Sequence, residues 1–258
     1  MTCAIVTGGG TGIGRAVALR LVREGWDVVV TGRRAQPLEE TAALSPDRIR
    51  AVVADASDRD AMDAVVRRAL ELGPLGALVT SAGGHGYSAV ADTTDAEWAS
   101  SLQANVTTAF VACRAALPAM ANGGGSIVII SSLAGIRAAP ETTGYTVGKH
   151  ALLGLMRQIA RDGGGTGVRA NAVCPGWVRT PMADDEMRVL VEQGRAGSID
   201  EAYALVTRDV PLGRPAEAAE IAELVGFLAG PASSYLTGST ILVDGGAHIV
   251  DVPTLAFG

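Results

Sequence analysis

Thr7-Gly8-Gly9-Gly10-Thr11-Gly12-Ile13-Gly14 is the stretch on which the reading of this chain turns. A short apolar run, Ala4 to Thr7, leads into it, and Ile13, Val17 and Leu21 recur behind it at the spacing of one helix face. Strand, glycine turn and helix in that order make a cradle for phosphate groups. Glycines let backbone amides approach a pyrophosphate closely, and the helix N-terminus adds partial positive charge there. The spacing is G-x-x-x-G-x-G rather than G-x-G-x-x-G, and no Lys-Ser/Thr follows as a P-loop requires.

Short apolar runs alternate with helix-period segments along the whole chain, the order expected of a parallel sheet covered by helices on both faces. Strands are expected at Ala4 to Thr7, Val28 to Thr31, Ala51 to Ala54, Ala77 to Thr80, Ser126 to Ser131, Val168 to Val173 and Thr240 to Val243. The expected fold is therefore α/β: a Rossmann-like, doubly wound, seven-stranded parallel sheet. Ile221, Leu224, Val225 and Leu228 lie between Pro215 and Gly230-Pro231, punctuation proper to a helix. Gly123-Gly124-Gly125 and Gly163-Gly164-Gly165 read as turns where helices hand over to strands, and no repeat is visible. Residues 1–258 are thus expected to form a single dinucleotide-binding domain. An insertion at about 182–211, with strand neither within it nor closely after it, has the length of a lid over the substrate.

Of the 258 residues, 48% are hydrophobic and 19% charged, which excludes disorder; the 33 glycines have no collagen period. A net charge of −6 offers no basic surface for a phosphate backbone, so nucleic acid is not expected as a partner and a small molecule is. Cys3, Cys113 and Cys174 are odd in number and widely spaced, which fits neither a disulfide framework nor a metal site and agrees with a reducing cytoplasm. The start has no positive n-region and its apolar stretch stops at Gly8, so no export signal is expected. The apolar runs are too short for membrane spans, and no membrane partner is expected.

An acidic residue at the end of the second strand would bind a ribose 2′-hydroxyl; here the strand runs Val30-Thr31-Gly32-Arg33-Arg34. Two guanidiniums at that place suit a 2′-phosphate, which favours NADP(H), with NAD(H) possible. Against arginine everywhere else, the chain has one lysine, Lys149, four residues after Tyr145. On a helix the two share a face, and an ammonium beside a phenol favours the phenolate, so Tyr145 is expected below its reference pKa near 10 and fit for acid–base work. The ammonium is compact, with three donors able to reach a ribose and a water, unlike the planar guanidinium.

With these motifs in this order, the chain resembles the short-chain dehydrogenase/reductase family, in its compact branch of 3-oxoacyl thioester and ketone reductases. The resemblance covers nearly the whole chain. It matches the glycine motif at Thr7, Gly8, Gly10, Thr11, Gly12, Ile13 and Gly14, and the Asp of the adenine end at Asp55, followed by Ala56. The family's helix asparagine falls at Asn105, its serine at Ser132, and its tyrosine and lysine at Tyr145 and Lys149. Pro175-Gly176-Trp177-Val178-Arg179-Thr180 resembles the stretch passing the nicotinamide, and Val243-Asp244-Gly245-Gly246 the last-strand ending. Where the family has Asn-Ala-Gly, this chain has Ser81-Ala82-Gly83; serine keeps one donor and an acceptor but lacks the amide's second donor. The resemblance implies hydride transfer between nicotinamide C4 and a carbonyl carbon. In it Tyr145 handles the proton, Ser132 polarises the carbonyl oxygen, Lys149 binds the nicotinamide ribose and Asn105 holds a water. A catalytically silent NADP(H)-binding regulator is the alternative; such relatives lose the tyrosine or the lysine. Epimerisation or dehydration belongs to a longer branch with an added C-terminal domain, for which 258 residues leave no room.

His85, with Tyr87, follows Ser81-Ala82-Gly83 and is a candidate for lining the substrate pocket, whereas His150 is expected to face away from Lys149. Met182, Met187, Val189, Leu190, Tyr203 and Leu205 are expected to supply the pocket's apolar surface. Relatives pair through the helices spanning about Trp98 to Ala121 and Tyr145 to Arg161, so a homotetramer, or a homodimer, is expected, with Phe110, Val111, Leu152 and Leu155 on the apolar faces. The apolar tail after Gly246 is expected to pack near a subunit interface.

Overall fold

The computed structural model describes residues 2–84 and 86–257. Seven parallel strands, β1 (Cys3–Thr7), β2 (Asp27–Gly32), β3 (Ile49–Val53), β4 (Leu75–Thr80), β5 (Gly125–Ile130), β6 (Val168–Pro175) and β9 (Thr240–Val243), form one sheet in the order β3-β2-β1-β4-β5-β6-β9. The expected α/β architecture and all seven strands are present. Five strands, β1, β2, β4, β5 and β6, are almost wholly buried, which is why they read as unbroken apolar runs. β3, an edge strand whose alternate residues are open, starts two residues earlier than expected.

The strands carry two cores, one on each face. Cys3 and Ile5 pack with Met62, Ala112 and Leu152, from α3 (Arg59–Leu70), α5 (Thr108–Met120) and α6 (Thr143–Gly163). Ala4 and Val6, one residue out of step, pack with Val17, Leu38 and Ile221, from α1 (Gly12–Arg23), α2 (Ala35–Ala43) and α9 (Ala218–Ala229). Each fully buried branched side chain adds about 1.5–3 kcal/mol of transfer free energy. The glycine clusters have a packing cause: Gly124, at φ +70°, leaves space for Gly167, and a Cβ on Gly163 would lie 2.9 Å from Val168 Cβ.

The order reverses between β1 and β4, opening a crevice at their carboxyl ends, where such sheets bind ligands. α4 (Asp95–Leu102), a π-helical turn over Gln103–Thr107 and α5 run on as one rod beside it. Beyond β6, the two-residue strands β7 (Val178–Arg179) and β8 (Ala216–Glu217) pair with each other, so strand does follow closely after residue 211, contrary to expectation. Two residues are too few to carry an apolar alternation. Between them α7 (Pro181–Glu192) and α8 (Ile199–Thr207) pack on a separate cluster of Ala183, Met187, Ala202 and Tyr203. Met187 and Tyr203 are thus turned into this small core, where the Tyr203 hydroxyl donates to Asp184 (2.8 Å). Val111 and Leu152 likewise face inward, whereas Phe110 is 45% exposed.

Candidate active site

A cleft of roughly 680 Å³ runs along the crevice. Gly8, Gly10, Thr11, Gly12 and Ile13 line it at the end of β1, Arg33 and Arg34 at the end of β2, and Asp55 and Ala56 after β3. Ser81, Ala82 and Gly83 after β4, Tyr145 and Lys149 on α6, and Thr180 before α7 complete the expected set on its wall. The glycines are required. Gly14 lies so close under the turn that a Cβ would stand 2.3 Å from the Gly8 carbonyl oxygen, and one on Gly8 2.8 Å from the Ala82 nitrogen. Side chains here would close the space between the turn, the start of α1 and the loop after β4.

Other expected residues stand behind the wall. The Thr7 hydroxyl accepts hydrogen bonds from the Ser81 and Ala82 amides (3.2 and 3.1 Å), so the loop is held from β1 without the missing asparagine amide. Thr180 caps α7, its hydroxyl accepting from Ala183 N (3.2 Å). Pro175 ends β6, Gly176 packs on Asp244, and Val178 is buried in β7. Asp244 accepts from the Gly246 and His248 amides (3.0 and 2.8 Å), closing the turn after β9.

Three arginines approach the mouth of the glycine turn, and they are used differently. Arg15 is committed to Gly10 O and Thr41 Oγ1, both at 2.9 Å, and to Glu40 at 3.0 Å. Arg33 and Arg34 line the cleft without an ion pair among the described residues. Asp55 is held below the usual carboxylate range by the Ser57 amide and hydroxyl, both 2.8 Å from Oδ1, with a smaller contribution from Arg33. Ser57, Gln103, Pro37 and Leu38 also line this end; the sequence carries no signal for them, because they belong to helix starts and loops with ordinary composition.

At the other end, Lys149 is 6% exposed and donates from Nζ to the Ile130 carbonyl (3.2 Å). The ammonium lies 5.5 Å from the centroid of the Tyr145 ring. A Cβ on Gly83 would stand 3.3 Å from Asn105 Oδ1 and 3.4 Å from Lys149 Nζ, so glycine leaves room for both groups. Asn105 sits in the π-helical turn, donates to Ser101 O (3.0 Å) and accepts from Gly84 N (3.3 Å). Ser132 starts the turn after β5, its hydroxyl accepting from Ala134 N (3.1 Å) and touching the Tyr145 phenol. His150 is exposed on the opposite side of α6; His85 lies outside the described residues.

Burial decides the protonation of this pair. It pushes the Lys149 ammonium down to about 8 and the Tyr145 phenol up, the Ser132 hydrogen bond opposing the latter. The expected lowering of the Tyr145 pKa by Lys149 is therefore not what the geometry gives. The ammonium is spent on Ile130 O, and loss of water around the phenol outweighs what remains of its charge.

A doubly wound α/β sheet with a glycine-walled cleft at its switch point defines a class of dinucleotide-binding folds. The enoyl-(acyl carrier protein) reductase family model matches residues 8–248. Protein MoaE of Klebsiella aerogenes is 43% identical over 264 residues, 98% of each chain. The 2-keto-3-deoxy-L-fuconate dehydrogenase of Xanthomonas campestris pv. campestris is 36% identical over 244 residues, 94% of this chain and 78% of that one. Among solved structures, an actinorhodin polyketide ketoreductase variant with NADPH superposes with a TM-score of 0.89 at 32% identity, over 95% of this chain and 96% of that one. Levodione reductase does so with a TM-score of 0.90 at 30% identity, over 97% and 98%. The chain belongs to the short-chain dehydrogenase/reductase family.

The buried ammonium has a thermodynamic signature. A lysine charged in the unfolded chain up to about 10.5 and in the folded one only to about 8 costs stability fully below pH 8, on the order of 3 kcal/mol at 1.36 per pH unit. That cost disappears as pH rises from 8 towards 10.5. Lys149→Met is therefore expected to exceed the wild type in denaturant stability at pH 7, with the gap narrowing across that window; a constant or widening gap contradicts the account.

Proposed function

We propose that this protein is an NADP(H)-preferring oxidoreductase interconverting a ketone, of plain or 3-oxoacyl type, and a secondary alcohol. The observation that carries the reading is the contact of the Tyr145 phenol with Ser132, beside buried Lys149, at one end of a cleft whose other end is walled by glycines and two uncommitted arginines. Proteins similar to it include a dehydrogenase and a ketoreductase by name.

A nicotinamide dinucleotide bound along the cleft supplies or accepts the hydride. The glycine turn and the amides of α1 hold its pyrophosphate, and Arg33, with Arg34, its 2′-phosphate. Asp55 and Ala56 meet the adenine end, Ser81-Ala82-Gly83 the ribose side, and Pro175, Gly176, Val178 and Thr180 form the edge by the nicotinamide. Tyr145 gives its proton to the carbonyl oxygen during reduction and takes it back during oxidation. A phenol held in its protonated form is the state from which reduction starts. Ser132 donates a hydrogen bond to the same oxygen as charge develops there. Lys149 binds ribose hydroxyls and replenishes the Tyr145 proton through a water held by Asn105.

Residues 1–258 act as one domain in this reading, with the 182–211 insertion as the substrate lid. Trp98 and Phe110, exposed along the rod beside the cleft, and Val147 on α6 fit a homo-oligomeric interface, a tetramer or dimer, with the tail's exposed Ile249 and Leu255 near it. Buried free thiols at Cys3, Cys113 and Cys174 fit a cytoplasmic setting, and among the described residues no helix is long and apolar enough to cross a membrane.

Tyr145→Phe is expected to lower turnover of NADPH with ketones by roughly 1,000-fold or more while NADPH binding stays within about threefold. Retained turnover contradicts the assignment of the proton. Arg33→Ala is expected to raise the KM for NADPH by roughly tenfold or more and to leave that for NADH within about twofold; equal effects on both would remove the arginine from the cofactor site.

A further inference from the structure

One wall of the cleft is the rod of α4, the π-helical turn and α5, and at Gln103 this wall meets the loop that follows β3. The Gln103 carboxamide donates from Nε2 to the Ser57 hydroxyl (3.3 Å), across 46 positions of chain. Ser57 passes the bond on. Its hydroxyl and its amide both donate to Asp55 Oδ1, each at 2.8 Å. Asp55, Ser57 and Gln103 all line the cleft, so one shared hydroxyl sets a carboxylate and a carboxamide side by side on its wall. Gln103 opens the π-helical turn that also carries Asn105, and its place is therefore fixed by the fold of the rod.

The order of donors along this row fixes which way the amide faces. A serine hydroxyl has a single proton, and the Asp55 carboxylate takes it, so the Ser57 oxygen is left as an acceptor and only an N–H can meet it. Nε2 of Gln103 is thereby turned to Ser57 and Oε1 away from it. Among the described residues neither Asp55 Oδ2 nor Gln103 Oε1 accepts a hydrogen bond, and Gln103 keeps its second N–H. Arg33 lines the same end, but its guanidinium forms no ion pair with Asp55. The cleft wall thus offers two acceptors and one donor, on side chains that are half-buried at Asp55 and exposed at Gln103.

We propose that Gln103 is a specificity-determining residue for the base of the cofactor: together with Asp55 it takes up both N–H groups of a 6-aminopurine, its Oε1 accepting one of them and its second N–H reaching N7, and it turns away a 6-oxopurine. This rests on the dinucleotide reading above and names the base within it. A glutamine meeting the amino group and N7 at once is a bidentate match to adenine. Asp55 alone discriminates poorly, because a carboxylate that accepts from the amino group of adenine can also accept from the N1–H of hypoxanthine. Gln103 decides between them. Its Oε1 would stand against the 6-oxo group, and the amide cannot turn over to relieve this without setting that oxygen against the Ser57 hydroxyl oxygen.

The test measures binding without any ketone present. Calorimetry gives the Kd of the full chain for NADPH and for its analogue with hypoxanthine in place of adenine, and the NADH pair is run in parallel so that the comparison stands whichever ribose the site takes. The wild type is expected to bind the adenine form at least about tenfold more tightly. Gln103→Leu keeps the bulk and removes the amide, and is expected to lower that ratio by about fivefold or more. Ser57→Ala frees the Gln103 amide to turn an N–H towards the 6-oxo group, so its ratio is expected to fall by about threefold or more, through tighter binding of the hypoxanthine form. A loss of shape alone would weaken both dinucleotides alike and leave the ratio where it was. A ratio in Gln103→Leu within about twofold of the wild type, or a wild type without preference, overturns the proposal. A wild type that binds none of the four dinucleotides overturns the cofactor reading itself, and the role of Gln103 with it.

Discussion

The burial of one ammonium is the constraint around which the site is built. Charge removed from water must be repaid by hydrogen bonds, and Lys149 finds one at the Ile130 carbonyl, where β5 ends. Bringing α6 close enough for that contact sets several neighbouring choices. Gly148 lets α6 approach the π-helical turn, because a Cβ there would stand 3.0 Å from Asn105 Cβ. Ser131 ties the end of β5 to α6 by donating to Lys149 O (2.9 Å), and Gly135 fits beneath it. Gly83 leaves the space between Asn105 and Nζ open. Helix, strand and loop therefore meet at a single side chain, and the same close approach puts the Tyr145 ring beside it.

Electrostatics in this corner are governed by desolvation more than by pairing. The phenol and the ammonium are each pushed towards their neutral forms, the first upward and the second downward. A neutral phenol and a lysine near its own titration range suit an exchange of protons between neighbours, since neither must hold charge against a large penalty. The Glu186 charge acts in the same direction on the phenol.

Much of this was legible from residue order. Strands buried on both faces read directly as apolar runs, and the glycine turn, with its strand before and helix after, announced the crevice. The lone lysine four residues after Tyr145 marked the helix face that now carries both. What escaped reading depends on packing across the sequence. Met187 and Tyr203 looked like pocket surface, but α7 and α8 bury them against each other. Val111 and Leu152 looked like interface and belong to the main core. The direction of the Tyr145 shift was misread because spacing reports that an ammonium is near, not how much water both groups have lost.

In the function proposed above, a compact, buried ammonium at position 149 organises the phenol, the ribose-binding side of the cleft and the proton path together. Lys149→Arg tests it most directly, since it keeps positive charge and changes shape. Steady-state turnover of NADPH with a reducible ketone at pH 7 is expected to fall by at least roughly 100-fold, because a planar guanidinium cannot take the ammonium's place between Ile130 O, Gly83 and Asn105. Turnover within about threefold of the wild type would contradict the account.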